Sequence, residues 1–156
     1  MRLRTADPSD AEAIAATLRD AFAEFEALYT PPAFRATTPT GEEVRARMAE
    51  GPIWVAEREG MVVGTVSAVP RGTELSIRSM AVRPIARGQG VGVRLLHAVE
   101  VFAAAQQYRR LVLNTTPFLA AALQLYQREG FRLTGAQLDL FGTPLLTMAK
   151  EVPAEA

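Results

Sequence analysis

At 156 residues, 49% of them hydrophobic and 22% charged, the chain has the size and balance of one globular domain with a buried core. Lys plus Arg and Asp plus Glu number 17 each, so formal charge is zero and the basic footprint that a nucleic-acid partner requires is missing. With no cysteine and a single histidine, a disulfide framework and a thiol nucleophile are excluded and a zinc or iron site is disfavoured; no metal is expected. The first ten residues lack the apolar run of a secretory signal, and no stretch is long enough to span a membrane. The expectation is a cytoplasmic protein with no membrane partner.

In chain order, Arg2 to Ala6 reads as a strand, and Asp7-Pro8-Ser9-Asp10 as a turn offering helix caps. A helix from Ala11 carries Ile14, Leu18, Phe22 and Phe25 on one face. Pro31 and Pro32 then break it, leaving Tyr29, Phe34 and Arg35 in a loop that either lines a substrate mouth or is a plain connection. Thr40-Gly41-Glu42-Glu43 starts a short helix that ends near Gly51-Pro52. Ile53–Glu57 and Met61–Val69 are strands about a solvated tip at Glu57, Arg58 and Glu59.

A strand over Glu74–Val82 follows, closed by Pro84. Val91, Leu95, Val99 and Phe102 recur at helical spacing, and Leu111–Thr116 forms the next strand. Strand, helix and strand make a βαβ unit, with parallel strands and a right-handed crossover. Phe118 to Glu129 is a helix stopped by Gly130, and Phe131–Leu140 with Leu145–Glu151 is a closing hairpin. One domain is expected over residues 1–152, with a frayed tail at 153–156.

The segment Arg87-Gly88-Gln89-Gly90-Val91-Gly92 joins the Glu74–Val82 strand to its helix. A helix N-terminus has unpaired N–H groups and a partial positive charge, and residues without Cβ let an anion reach them. Arg87 adds a guanidinium that suits phosphate. No Gly-Lys-Ser/Thr follows, so this is not a P-loop of Walker type. Counting from Gly88, Val93 stands where the third glycine of G-x-G-x-x-G belongs, which disfavours a Rossmann-type dinucleotide binder.

The loop does match R-x-x-G-x-G directly after Met80-Ala81-Val82, and with the flanking strand and helix the chain resembles the GNAT acyltransferase superfamily. The resemblance implies an α/β three-layer fold: a mixed, mostly antiparallel twisted sheet with splayed parallel central strands and helices on both faces. It implies acetyl-CoA as co-substrate, its diphosphate on Arg87, Gly88, Gln89, Gly90, Val91 and Gly92. The pantetheine arm would lie along Met80, Ala81 and Val82, between that strand and the one carrying Asn114.

The resemblance makes Tyr126, in Leu-Tyr-Gln-Arg-Glu-Gly-Phe, the general acid, since a phenol with a pKa of about 10 is protonated at neutral pH. The competing reading packs it on an apolar helix face with Phe118, Leu119 and Ala122. The base is less defined. Asn114 stands where some members have a glutamate and cannot take a proton. Glu74, on one strand face with Ser76 and Arg78, is a candidate acting through water; its alternative is an exposed strand-start carboxylate. Glu24 and Glu26 are further options, and His97 reads as a surface residue.

The function implied is acetyl-CoA-dependent transfer to a primary amine by direct attack in a ternary complex. The acceptor expected is a small primary amine or an amino-acid-like molecule, with Tyr29 and Phe34 in its site and Arg35 available for a carboxylate. A protein N-terminus or lysine comes second, and a module that binds or senses acyl-CoA without turnover is the alternative from another class. Many members of the family dimerise, and no exposed apolar segment in the sequence identifies an interface.

Overall fold

The computed structural model describes residues 1–153, so all but the first residue of the expected tail lies outside it. The elements are β1 (Arg2–Thr5), α1 (Ala11–Phe22), α2 (Pro31–Thr37), α3 (Gly41–Arg47), β2 (Ile53–Arg58), β3 (Met61–Arg71), β4 (Glu74–Val82), α4 (Val91–Ala105), β5 (Arg110–Thr115), α5 (Ala120–Arg128), β6 (Arg132–Leu140) and β7 (Thr143–Glu151). The seven strands form one sheet in the order β1-β2-β3-β4-β5-β7-β6. Only β4 and β5 pair parallel; the other neighbours are antiparallel. No helix among the described residues is long and apolar enough to cross a membrane.

Strand β2 shows how the layers stack. Successive side chains of a strand alternate between faces. Trp54 and Ala56 enter a cluster with Val91, Leu95 and Val99 of α4 and Tyr126 of α5. Ile53 and Val55 enter another with Ile14 and Leu18 of α1 and Val44 of α3. Helices therefore cover both faces, as the family resemblance implies.

The connection after α1 departs from expectation. The helix stops at Phe22 and tightens into a 3-10 segment, Ala23–Leu28, which takes Phe25 off the α1 stripe and against Phe118, ring centroids 6.4 Å apart. Pro31 and Pro32 do not leave a loop behind them; they begin α2, so Phe34 and Arg35 are helical. At the first helical position proline's missing N–H is no loss. Thr30 caps the helix, its Oγ1 accepting from Ala33 N at 3.3 Å. The final hairpin is tighter than predicted: Leu140 pairs with Thr143, and Phe141 and Gly142 hold φ of 48° and 91°, as a two-residue I′ turn requires. Glu57 is no solvated tip, because it accepts from Arg4 Nε at 2.9 Å.

Two features open the sheet at its centre. The β4–β5 ladder ends at Ile77↔Leu113, although β4 runs on to Val82 and β5 to Thr115. Beyond that point β4 pairs only with β3, and β5 only with β7. Ser79, at φ 55°, marks a bulge in β4: Thr65 pairs with Ala81 and Ser67 with Arg78, so Ser79 and Met80 together face Val66. The parallel strands are thus splayed.

Helix α4 lies close over β3 because Gly64 has no side chain. A Cβ there would meet Val91 Cγ1 at 2.8 Å and Leu95 Cδ1 at 3.1 Å. Gly64→Ala is therefore expected to destabilise the fold by about 1–3 kcal/mol through overpacking. Urea unfolding checks this, and an unchanged midpoint would show that the close approach is no constraint.

Candidate active site

The glycine-rich loop sits at the carboxyl end of β4 and is open to solvent, with Arg87, Gly88, Gln89 and Gly90 all exposed. Gly90 caps α4 in the left-handed region, φ 79°, with no side-chain cap. Gly88 has φ 76°, and a Cβ at either glycine would meet no protein atom within 4 Å. The first helical bond runs from Arg94 N to Gly90 O, 3.1 Å. Among the described residues, none of the amides from Gly88 to Val93 donates to a protein acceptor. They form a row of free donors where the helix dipole is positive. Gly92 differs: a Cβ there would meet Leu125 Cδ2 at 2.9 Å, so this glycine lets α5 pack against α4.

Arg87 is turned away from this row. Nη2 donates to Ala21 O at 2.8 Å, Nε to Val82 O at 3.3 Å, and Nη1 to Glu24. It fastens the loop to the end of α1, and Glu24 is committed to it. Arg58, read from sequence as part of a hairpin tip, instead donates to Gln89 Oε1 and brings a second guanidinium to the loop.

Beyond the splay, Ala81 is buried and Met80 and Val82 half-buried along the free edge of β4. Across the gap, Asn114 is exposed, its Oδ1 accepting from Thr147 Oγ1 at 2.7 Å. Tyr126 lies nearby in α5, 7% exposed, its ring edge-on to Phe131 at 5.9 Å. Burial above all, then the neighbouring Tyr29, pushes its phenol up to about 12. Tyr29 is buried too, 4.9 Å and perpendicular to Phe118, and burial raises its phenol. The nearby Thr116 hydroxyl opposes that rise, and its Oγ1 is buried with no partner in good hydrogen-bond geometry.

Phe34 packs 5.9 Å from Tyr29, and both line a cleft of about 660 Å³ with Arg19, Glu26, Arg35 and Thr38. The structure thus brings Tyr29, Phe34 and Arg35 together despite the changed secondary structure. The cleft takes in no residue of the glycine-rich loop. Arg35 donates to Glu43 Oε1 at 2.7 Å. Thr30, absent from the sequence reading, donates its N–H to Thr143 Oγ1 at 3.0 Å and its hydroxyl to Phe141 O at 2.7 Å, docking the β6–β7 turn beside α2.

Glu74 has to be withdrawn from the site. It begins β4, at the end opposite the loop, and accepts from Arg110 Nη1 at 3.0 Å. At about 3.3 Å per residue, the strand separates it from Val82 by roughly 26 Å. Strand periodicity gave its face correctly, but not which end of the strand is open.

The profile of the acetyltransferase (GNAT) family matches residues 14–131. The chain belongs to the GNAT family. It is 41% identical over 88 residues to N-acetyltransferase 8B of Homo sapiens, covering 53% of this chain and 39% of that protein. The chain spans less than half the length of the curated relatives it matches. Among solved GNAT-like structures, a ribosomal-protein-alanine N-acetyltransferase from Brucella melitensis is 28% identical with a TM-score of 0.77, over 97% of this chain and 99% of that one. A Salmonella typhimurium protein solved with its cofactor acetyl-CoA is 25% identical with a TM-score of 0.76, over 100% of this chain and 96% of that one.

In this GNAT chain the free amides make a specific demand. A side chain at position 90 would sit in the left-handed region, costing about 1–2 kcal/mol, and would cover the donors. Gly90→Val is expected to abolish coenzyme A binding in calorimetry while the protein stays folded. Binding at wild-type affinity would remove the amide row from the site.

Proposed function

We propose that the chain is an acetyl-CoA-dependent N-acetyltransferase acting on a primary amine by direct attack in a ternary complex. The observation that carries this reading is the row of undonated amides from Gly88 to Val93 beside the unpaired end of β4. A diphosphate suits the first, and an extended pantetheine arm suits the second, with Met80, Ala81 and Val82 offering backbone groups as another strand would. The relative solved with acetyl-CoA supports the same choice of donor.

In the reaction the neutral amine nitrogen bonds to the thioester carbonyl carbon, and an oxyanion forms. A free backbone N–H of β4 is the donor assigned to it. The C–S bond then breaks, the sulfur keeps the electron pair, and the Tyr126 hydroxyl donates to it. The proton lost by the amine leaves through water. Burial keeps Tyr126 protonated across the working range, so it is always a donor, although a weak acid. Tyr29, Phe34 and Arg35 form the walls met by the acceptor.

A protein N-terminus is a second acceptor, favoured by the likeness to the ribosomal-protein-alanine enzyme. Thiol release measured with free amino acids and with an Ala-initiated peptide separates the two. Release with neither would leave an acyl-CoA-binding module.

Tyr126→Phe is expected to lower kcat on the order of 10²-fold with little change in the KM for acetyl-CoA. Because the phenol is raised to about 12, its donor form persists through pH 10, and the wild-type rate should show no descending limb there. A limb near pH 10 that vanishes in the variant would contradict the buried phenol; an unchanged kcat would contradict its role.

A further inference from the structure

Beneath α2, on the face of the sheet opposite α4, two guanidinium groups come together at the β4 bulge. Arg47 of α3 donates from Nη1 to Ser79 Oγ at 3.1 Å and from Nη2 to Ala36 O at 3.4 Å. Arg78, next to Ser79 in the chain, donates from Nη2 to Glu50 Oε2 at 3.0 Å. Two buried polar atoms here lack partners: Arg78 Nε, and Oγ of Ser67, the cross-strand partner of Arg78. Burial, and then the charge of Arg78, lowers the pKa of Arg47. Glu50 is the one carboxylate in contact with the pair among the described residues, and its side chain is 48% exposed.

Half-buried cations placed side by side are unfavourable unless an anion reaches them. Their position says what that anion accompanies. Arg78 directly follows Ile77, the last β4 residue paired with β5, so both arginines are held by the stretch of β4 where the groove opens, Arg78 by its backbone and Arg47 through Ser79. Arg47 also touches α2, whose Phe34 and Arg35 line the acceptor cleft. Arg35 is less free for this task, because Glu43, its partner, also closes the capping box of α3.

We propose that Arg47 and Arg78 hold the carboxylate of an amino-acid acceptor at the opening of the β4–β5 groove. In an α-amino acid the carboxylate and the amine share one carbon, so anchoring the first at Arg78 delivers the second to the groove. The forked donors of arginine suit a carboxylate. This assignment rests on the transferase reading and narrows it to acceptors with a free carboxylate beside the amine.

The test compares L-phenylalanine and L-methionine with their carboxamides, in wild type and in Arg47→Gln and Arg78→Gln. Thiol release gives kcat/KM for each. Calorimetry on protein saturated with coenzyme A gives binding without turnover. Wild type should favour the carboxylate, and either substitution should cut that preference by about 10- to 100-fold while leaving the carboxamide unchanged. Arg47→Lys should restore part of it. Equal use of both forms by wild type overturns the proposal, as does equal loss of both in the variants, which would mark the arginines as supports for α2 and the bulge. Carboxylate-selective binding that the variants lose, with no thiol release, would uphold the subsite and overturn the transferase reading alone.

Discussion

A backbone N–H or C=O inside a sheet is normally paired, and the free edge of β4 beyond Ile77 breaks that rule. Everything at the candidate site depends on the break. The bulge at Ser79 turns the strand, the parallel ladder stops, and peptide groups are left facing a groove instead of a neighbour. Such an edge would invite another chain if it were exposed along its length. Here it is short and lies at the centre of the sheet, flanked by β5 and α5, so an extended ligand rather than a second sheet is the partner it suits.

The surrounding packing keeps the break open. Gly64 lets α4 settle on β3, and Gly92 lets α5 settle on α4, so the helix mouth and Tyr126 are positioned by the absence of side chains. Arg87 ties the loop to the end of α1, and Thr30 ties the β6–β7 turn to α2. These polar ties span long stretches of chain. Burial raises the phenols of Tyr29 and Tyr126 together, so both stay protonated at neutral pH.

The strands, the long helix and the glycine-rich loop were legible because each is a local pattern: alternation, a 3.6-residue stripe, or residues free to take positive φ. The errors arose where a residue has two local meanings. Pro31 can end one helix or open the next, and Thr30 decides for the second by capping it. Glu74 shares the face of β4 with Arg78, yet only the pairing register shows that its end of the strand is closed by Arg110. Thr116 and Arg47 gave no local signal, because their meaning lies in what they face.

The sequence by itself carried the family resemblance, in the Arg87–Gly92 motif behind its strand, and it determined the strands, the long helix and the loop at the mouth of α4, since these elements follow from periodicity, turn chemistry and glycine spacing within short windows. Only the tertiary structure decided where β4 parts from β5, which cations are already neutralised and which stand together. Those properties depend on strand register and on side chains far apart in the chain: Arg47 beside Ser79, Arg87 on Ala21, Thr30 on Phe141. Contact between distant segments has no period, so a pattern read along the chain does not contain it.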